Sequence, residues 1–173
     1  MDDRSIEFQL ADKSDLESIK TMYKEIVENM NTQGINIWDG IYPCEFFAED
    51  MNNDRLYVLK TKDEILWAFA LCKSSSGEHA VEWKEPHAKA IYLDRLGVNV
   101  KYSRAGIGRL MLEKAREIAR SNDAKYLRLF VVDTNEPAIR LYEKKNFTKA
   151  KGIYEERFED GFCLQEFGYE IEL

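Results

Sequence analysis

The chain is poor in several things, and each shortage removes a class of function. Its three cysteines, Cys44, Cys72 and Cys163, are an odd number, far apart, with no CxxC pair. Such a set builds neither a disulfide framework nor a thiolate zinc site, and the three read as reduced and buried. Only His79 and His87 could supply imidazole, so no His-rich metal site is expected. No apolar run approaches the roughly 18 residues that a membrane span needs. The start, Met1-Asp2-Asp3-Arg4, has neither the basic residues nor the apolar stretch of a secretory leader. The expected location is the cytoplasm, with no membrane partner. Positive charge is also short: the net charge is -7 and the pI about 5.0. Nucleic-acid binding normally needs a basic face, so no such partner is expected, whereas an acidic surface is compatible with a cationic amine. There are no repeats and no long linker.

What is present suits one globular domain spanning residues 1–173, with 45% hydrophobic and 33% charged residues. Ile6 to Leu10 alternates like a first strand. Asp12 or Ser14 could cap the next helix, in which Leu16, Ile19, Met22, Tyr23, Ile26, Val27 and Met30 recur at helical spacing. Gln33 to Pro43 reads as a loop and Cys44 to Met51 as a short second helix. Leu56 to Lys60 and Ile65 to Cys72 read as paired strands, followed by a loop to about Lys89 and a long strand from Ile91 to Val100. Gly106 opens a helix with Ile107, Met111, Ala115, Ile118 and Ala119 on one stripe. Tyr126 to Val132 is a buried strand and Glu136 to Lys145 a helix. Asp160-Gly161 marks a closing hairpin. The order β-α-α-β-β-β-α-β-α-β-β predicts an α/β or α+β sheet with helices on it.

The turn before the third helix holds chemistry. Backbone N–H groups at a helix start lack partners within the helix and carry the positive end of its dipole. A diphosphate sits well there when no side chain blocks it. Gly106 and Gly108 remove two Cβ atoms, and Arg104 and Arg109 flank the turn. A tight turn needing positive φ explains the same glycines. A P-loop, GxxxxGK[ST], is missing, and a dinucleotide fingerprint fails because position 111 is Met111.

The segment Leu96-Gly97-Val98-Asn99-Val100-Lys101-Tyr102-Ser103-Arg104-Ala105-Gly106-Ile107-Gly108-Arg109-Leu110 resembles the acetyl-CoA motif of the GNAT superfamily, an apolar-x-Val strand end, a short link, then [QR]-x-x-G-x-[GA]. The segment from Asn135 to Phe147 is similar to that family's N-x-x-A-x-x-L-Y-x-x-x-G-F. Ser103 stands at the usual Gln/Arg position, and Asn146 replaces the glycine before Phe147; Asn tolerates a left-handed conformation. The resemblance covers essentially the whole chain. It implies a mixed, mostly antiparallel sheet of six to seven strands with a central bulged strand and about four helices. It also implies acetyl-CoA as acyl donor, with CoA as product. The backbone of Leu96, Gly97 and Val98 would pair with the pantetheine arm. Arg104, Ala105, Gly106, Ile107, Gly108 and Arg109 would hold the diphosphate, Asn135 would lie near the pantetheine, and Tyr142 would face the sulfur.

The implied reaction is direct attack of a primary amine on the thioester. An alkyl ammonium is neutral in under about one molecule in a thousand at pH 7, so a base must take its proton. A backbone N–H near Val98 is the candidate donor to the oxyanion. Tyr142 is the candidate acid for the leaving thiolate; it also reads as a core tyrosine on an amphipathic helix. Asp94, a carboxylate in an apolar strand sharing a face with Tyr92, is the candidate base or amine anchor; a structural hydrogen bond explains it too. Glu82 is the second choice. Trp38, Asp39 and Tyr42 suit an amine pocket or a cap on the core, and Trp83 and His87 a lid or a surface loop. The acceptor is a small amine or a peptide amine, with protein N-terminal or lysine acetylation and a non-catalytic acyl-CoA sensor as alternatives. A homodimer is compatible with all of these.

Overall fold

The computed structural model describes residues 5–173, so the leader reading of residues 1–4 lies outside the described part. The architecture is mixed α/β, with four α-helices and a large, mostly antiparallel sheet. The chain forms two compact units. One comprises residues up to Leu71 with Arg95–Met111; the other comprises Cys72–Asp94 and Leu112–Leu173.

In the first unit β1 (Glu7–Leu10), β2 (Leu56–Lys60) and β3 (Ile65–Cys72) form an antiparallel meander. β3 is buried along its whole length, as its unbroken apolar sequence requires of an inner strand. The rings of Trp67 and Phe69 stack at 5.3 Å. α1 (Leu16–Thr32) buries Ile19, Met22, Tyr23, Ile26 and Val27, the stripe its spacing predicts. Asp12 accepts from the Ser14 N–H at 2.8 Å while its own N–H donates to Asp15 at 3.0 Å, a reciprocal cap on the turn leading into α1. α2 (Phe47–Asn52) is short and places Asp50 inside.

Next to β3 runs the end of β5 (Ala90–Val98). The strand was expected to continue to Val100 but stops at Val98. The Asn99 side chain accepts from the Lys101 N–H at 3.0 Å and its amide donates to the Ile65 carbonyl at 2.9 Å, turning the chain into a short 3-10 turn. Within β5, Arg95 has φ of 51°, a left-handed residue that breaks the extended course of the strand.

In the second unit the start of β5 runs parallel to β6 (Tyr126–Val132), from Ala90↔Tyr126 to Leu93↔Leu129. β6 pairs antiparallel with β10 (Cys163–Glu172), whose other side takes β7 (Thr148–Lys149) and β9 (Tyr154–Arg157). The segment read as one loop to Lys89 contains β4 (Val81–Glu82), paired with β8 (Lys151–Gly152). Its Trp83 is buried rather than forming a surface loop or lid, with the Arg128 guanidinium 4.7 Å from its ring; His87 is exposed. Arg128 donates to Glu170 at 3.1 Å and to the Glu85 carbonyl at 2.8 Å. α3 (Ile107–Ser121) begins in one unit and ends in the other. α4 (Glu136–Lys144) is capped by Asn135 and ended by Asn146 at φ 66°. The cysteines were expected to be buried. Cys72 is, Cys44 is half-buried, and Cys163 is exposed near the hairpin turn at Gly161.

Candidate active site

The turn before α3 is built from strained backbone. Tyr102, Ser103, Arg104 and Ala105 form a type II turn. The Ala105 N–H donates to the Tyr102 carbonyl at 3.1 Å, Ser103 lies at φ −59°, ψ 127°, and Arg104 at φ 86°. Glycine normally fills that third position, so an arginine there holds a conformation worth about 1–3 kcal/mol of strain. Gly106 follows at φ 75°, and a Cβ on it would meet nothing within 4 Å. Its glycine is therefore required by conformation, and the space before it is open. The N–H groups of Gly106, Ile107 and Gly108 take no acceptor among the described residues. Adjacent donors, a helix start, open space and the exposed Arg104 and Arg109 side chains fit a diphosphate. Ser103 does not face that space with a donor: its hydroxyl donates back to the Val100 carbonyl at 2.9 Å.

Before the turn, residues 96–98 are fixed by their surroundings. A Cβ on Gly97 would stand 2.6 Å from Cζ of Tyr23, so this glycine is required by packing. The Tyr23 hydroxyl donates to the Arg95 carbonyl and lies 3.2 Å from that of Ala68. The Arg95 guanidinium binds the fully buried Asp50 through Nε at 2.7 Å and Nη2 at 2.8 Å. In the same unit Trp38 lies 5.5 Å from the Tyr23 ring, and Asp39 accepts from the Ile41 and Tyr42 N–H groups within its own exposed loop.

The second unit holds Asn135, Tyr142 and Asp94. The Asn135 side chain accepts from the Ala138 N–H at 3.4 Å. Tyr142 is 6% exposed, with its ring 5.8 Å from Phe147 and 6.4 Å from Tyr169. Its hydroxyl has no hydrogen bond among the described residues, although its ring packs as a core tyrosine. Burial pushes its pKa well up and the charge of Asp94 adds to this, so the phenol stays protonated at neutral pH. Asp94 is half-buried. Glu82 lies on β4, exposed, 3.4 Å from Lys151.

Two carboxyls were missed by the sequence reading. Glu166 on β10 is pushed up to about 8, first by burial, then by the charge of Glu156, their mutual hydrogen bond and Asp94. Glu156 on β9 is also raised, by burial and then by Asp94, against the lowering effect of its bond to Glu166. The alternation Leu164, Glu166, Gly168, Glu170 was the available signal, an acidic row inside a strand, but only the register shows what it faces.

A profile of the Acetyltransferase (GNAT) family matches residues 20–147. The chain belongs to that family. It is 35% identical over 72 residues to thialysine N-epsilon-acetyltransferase of Sus scrofa, a match covering 40% of this chain and 42% of the relative's own length. A GNAT-family acetyltransferase of Streptococcus agalactiae superposes with a TM-score of 0.78 at 13% identity, over 97% of this chain and 95% of that one. So does yncA of Salmonella typhimurium, solved with its cofactor acetyl-CoA, with a TM-score of 0.64 at 16% identity over 97% and 94%. These solved structures share the fold.

Proposed function

We propose that the chain is an acetyl-CoA-dependent N-acetyltransferase that acetylates a primary amine by direct attack, working as a single catalytic domain. The observation that carries this reading is the turn at residues 104–108, where Arg104 is held left-handed beside three N–H groups that take no acceptor among the described residues. Family membership supports it, and so does the Sus scrofa relative, whose name describes acetylation of an ε-nitrogen. Acetyl-CoA, when bound, supplies the acyl group as a thioester. The N–H groups of Gly106, Ile107 and Gly108, with Arg104 and Arg109, hold the diphosphate. The backbone of residues 96–98 pairs with the pantetheine, and Asn135 lies near it. A backbone N–H near Val98 donates to the carbonyl oxygen as negative charge grows there. Asp94 anchors the amine or takes its proton, directly or through water. Tyr142 Oη, kept protonated by its surroundings, gives its proton to the departing sulfur.

Calorimetric titration with acetyl-CoA, using ATP and NAD as controls, tests the reading. Micromolar binding of acetyl-CoA alone is the expected result. Binding followed by turnover with small amines or peptides then identifies the acceptor by mass spectrometry. No binding would sink the proposal, and binding without turnover of any amine would show an acyl-CoA sensor instead.

A further inference from the structure

We propose that Tyr23 of α1 is a positioning residue for the acyl donor: through the Arg95 carbonyl it aims the backbone of residues 96–98 at the pantetheine arm. The proposal rests on the acetyltransferase reading and adds to it a residue that touches no substrate.

Tyr23 is wholly buried, and every group that it engages lies in the first unit. Its ring is fixed by Phe47, edge-on at 4.6 Å, and by Trp38 at 5.5 Å. A tyrosine packed among aromatic rings needs a partner for its hydroxyl, and Tyr23 finds backbone. The hydroxyl donates to the Arg95 carbonyl on β5 and lies 3.2 Å from the Ala68 carbonyl on β3. Within a sheet, carbonyls are satisfied by N–H groups of the next strand. A strand carbonyl held by a helix side chain has left that pattern.

The cause is the conformation of Arg95, left-handed at φ 51°. A left-handed residue has ψ near about 47° where an antiparallel strand has about 135°, so its carbonyl swings roughly a quarter turn out of the sheet. Arginine rarely adopts this form, and here it is held at both ends. Asp50 binds its guanidinium at 2.7 and 2.8 Å, with the Phe46 ring 5.3 Å away, and Tyr23 binds its carbonyl. Two residues on, a Cβ on Gly97 would stand 2.6 Å from Cζ of Tyr23 and 2.8 Å from Oη. Tyr23 thus meets β5 on both sides of Leu96. Further along, the Asn99 N–H donates to the Leu66 carbonyl at 2.9 Å and ties the chain to β3 again. Residues 96–98 are the span between these anchors.

The two holds on Arg95 differ in what they fix. Asp50 fixes a side chain. Tyr23 fixes a peptide plane, because the Arg95 C=O and the Leu96 N–H belong to one planar unit and point in opposite directions. Holding the carbonyl toward α1 therefore aims the Leu96 N–H the other way. A pantetheine arm that pairs with this strand needs its polar groups already aimed. Without the hydroxyl the peptide relaxes toward an extended Arg95, the competent fraction falls, and apparent cofactor affinity falls with it.

The test uses the full chain and Tyr23→Phe, which removes one oxygen and keeps the ring contacts. KM for acetyl-CoA and Kd for CoA should rise about tenfold, while kcat at saturating acetyl-CoA stays within about twofold. Binding of 3′-phosphoadenosine 5′-diphosphate, which lacks the pantetheine arm, should not change. A merely structural role would lower Tm and leave KM where it was. Adding Arg95→Gly to Tyr23→Phe should bring CoA affinity back to within about threefold of the starting protein, since glycine takes positive φ freely. Unchanged CoA affinity in Tyr23→Phe, equal loss of CoA and the nucleotide, or no recovery in the double variant would overturn the role. Failure of Tyr23→Phe to fold would assign the hydroxyl to stability and overturn it as well. If the unmodified protein binds neither CoA nor the nucleotide, the acetyltransferase reading itself falls and takes this role with it.

Discussion

Asp50 is the residue whose loss should cost the first unit most. It is wholly buried, holds Arg95 at 2.7 and 2.8 Å, and holds Arg55 through Nε at 2.6 Å. The Arg95 side chain is 7% exposed and cannot turn to water when its partner goes. Removing one partner of a buried pair costs about 3–5 kcal/mol, so Asp50→Ala should lose that much. The total stability of an ordinary domain is about 5–15 kcal/mol. Arg95→Gly should cost less. It leaves Asp50 paired with the part-exposed Arg55, and it releases the strain of a non-glycine residue at φ 51°, about 1–3 kcal/mol. If the ion pair is what holds Arg95 in its left-handed conformation, the two changes are strongly coupled, and adding Asp50→Ala to Arg95→Gly should cost under about 2 kcal/mol. Urea unfolding followed by circular dichroism measures all three. A loss under about 1 kcal/mol for Asp50→Ala, or additivity within about 0.5 kcal/mol, would refute the argument.

Gly97→Ala should destabilise by about 1–3 kcal/mol through its clash with Tyr23, and thermal melting checks it; no change would mean that Tyr23 moves aside without loss. Arg104→Gly should release turn strain and raise Tm slightly while weakening acetyl-CoA binding by calorimetry; a lower Tm would show that the turn is not strained. Tyr142→Phe should slow turnover, most at neutral pH, with acetyl-CoA affinity nearly unchanged, and an unchanged rate would remove its acid role. Glu166 keeps its proton in the folded state up to about 8, whereas an unfolded glutamate loses it near about 4.3. Between those values folding is opposed increasingly as pH rises. Glu166→Gln should therefore leave Tm little changed near pH 4 and raise it by pH 9; equal shifts at both would contradict the burial of that proton.

Several strands were legible because their apolar patterns end where the structure ends them: β2, β3 and β6 have the bounds read from sequence. α1 was equally plain from its stripe. The turn at Gly106 was legible as glycines before a helix, but not the strain at Arg104, since arginine gives no turn signal. The left-handed conformation of Arg95 was not legible, because Arg95 and its partner Asp50 are far apart in sequence. Trp83 looked like a loop residue; it is buried against Arg128 of β6, a contact between segments far apart in sequence. Glu156 and Glu166 were hidden too, as charged residues on a hairpin that local pattern assigns to solvent.

The placement of β10 bears on how the protein comes off the ribosome. This strand is made late, yet β6 hydrogen-bonds to one side of it and β7 and β9 to the other. A nascent chain that has emerged only through β9 exposes the edge of β6 with no strand to close it, and Arg128 there has no Glu170. The first unit has no such wait, because its last segment ends at Met111. Synthesis thus imposes an order in which all segments of the first unit are made before β10, and the second is vulnerable to edge pairing and proteolysis until that strand arrives.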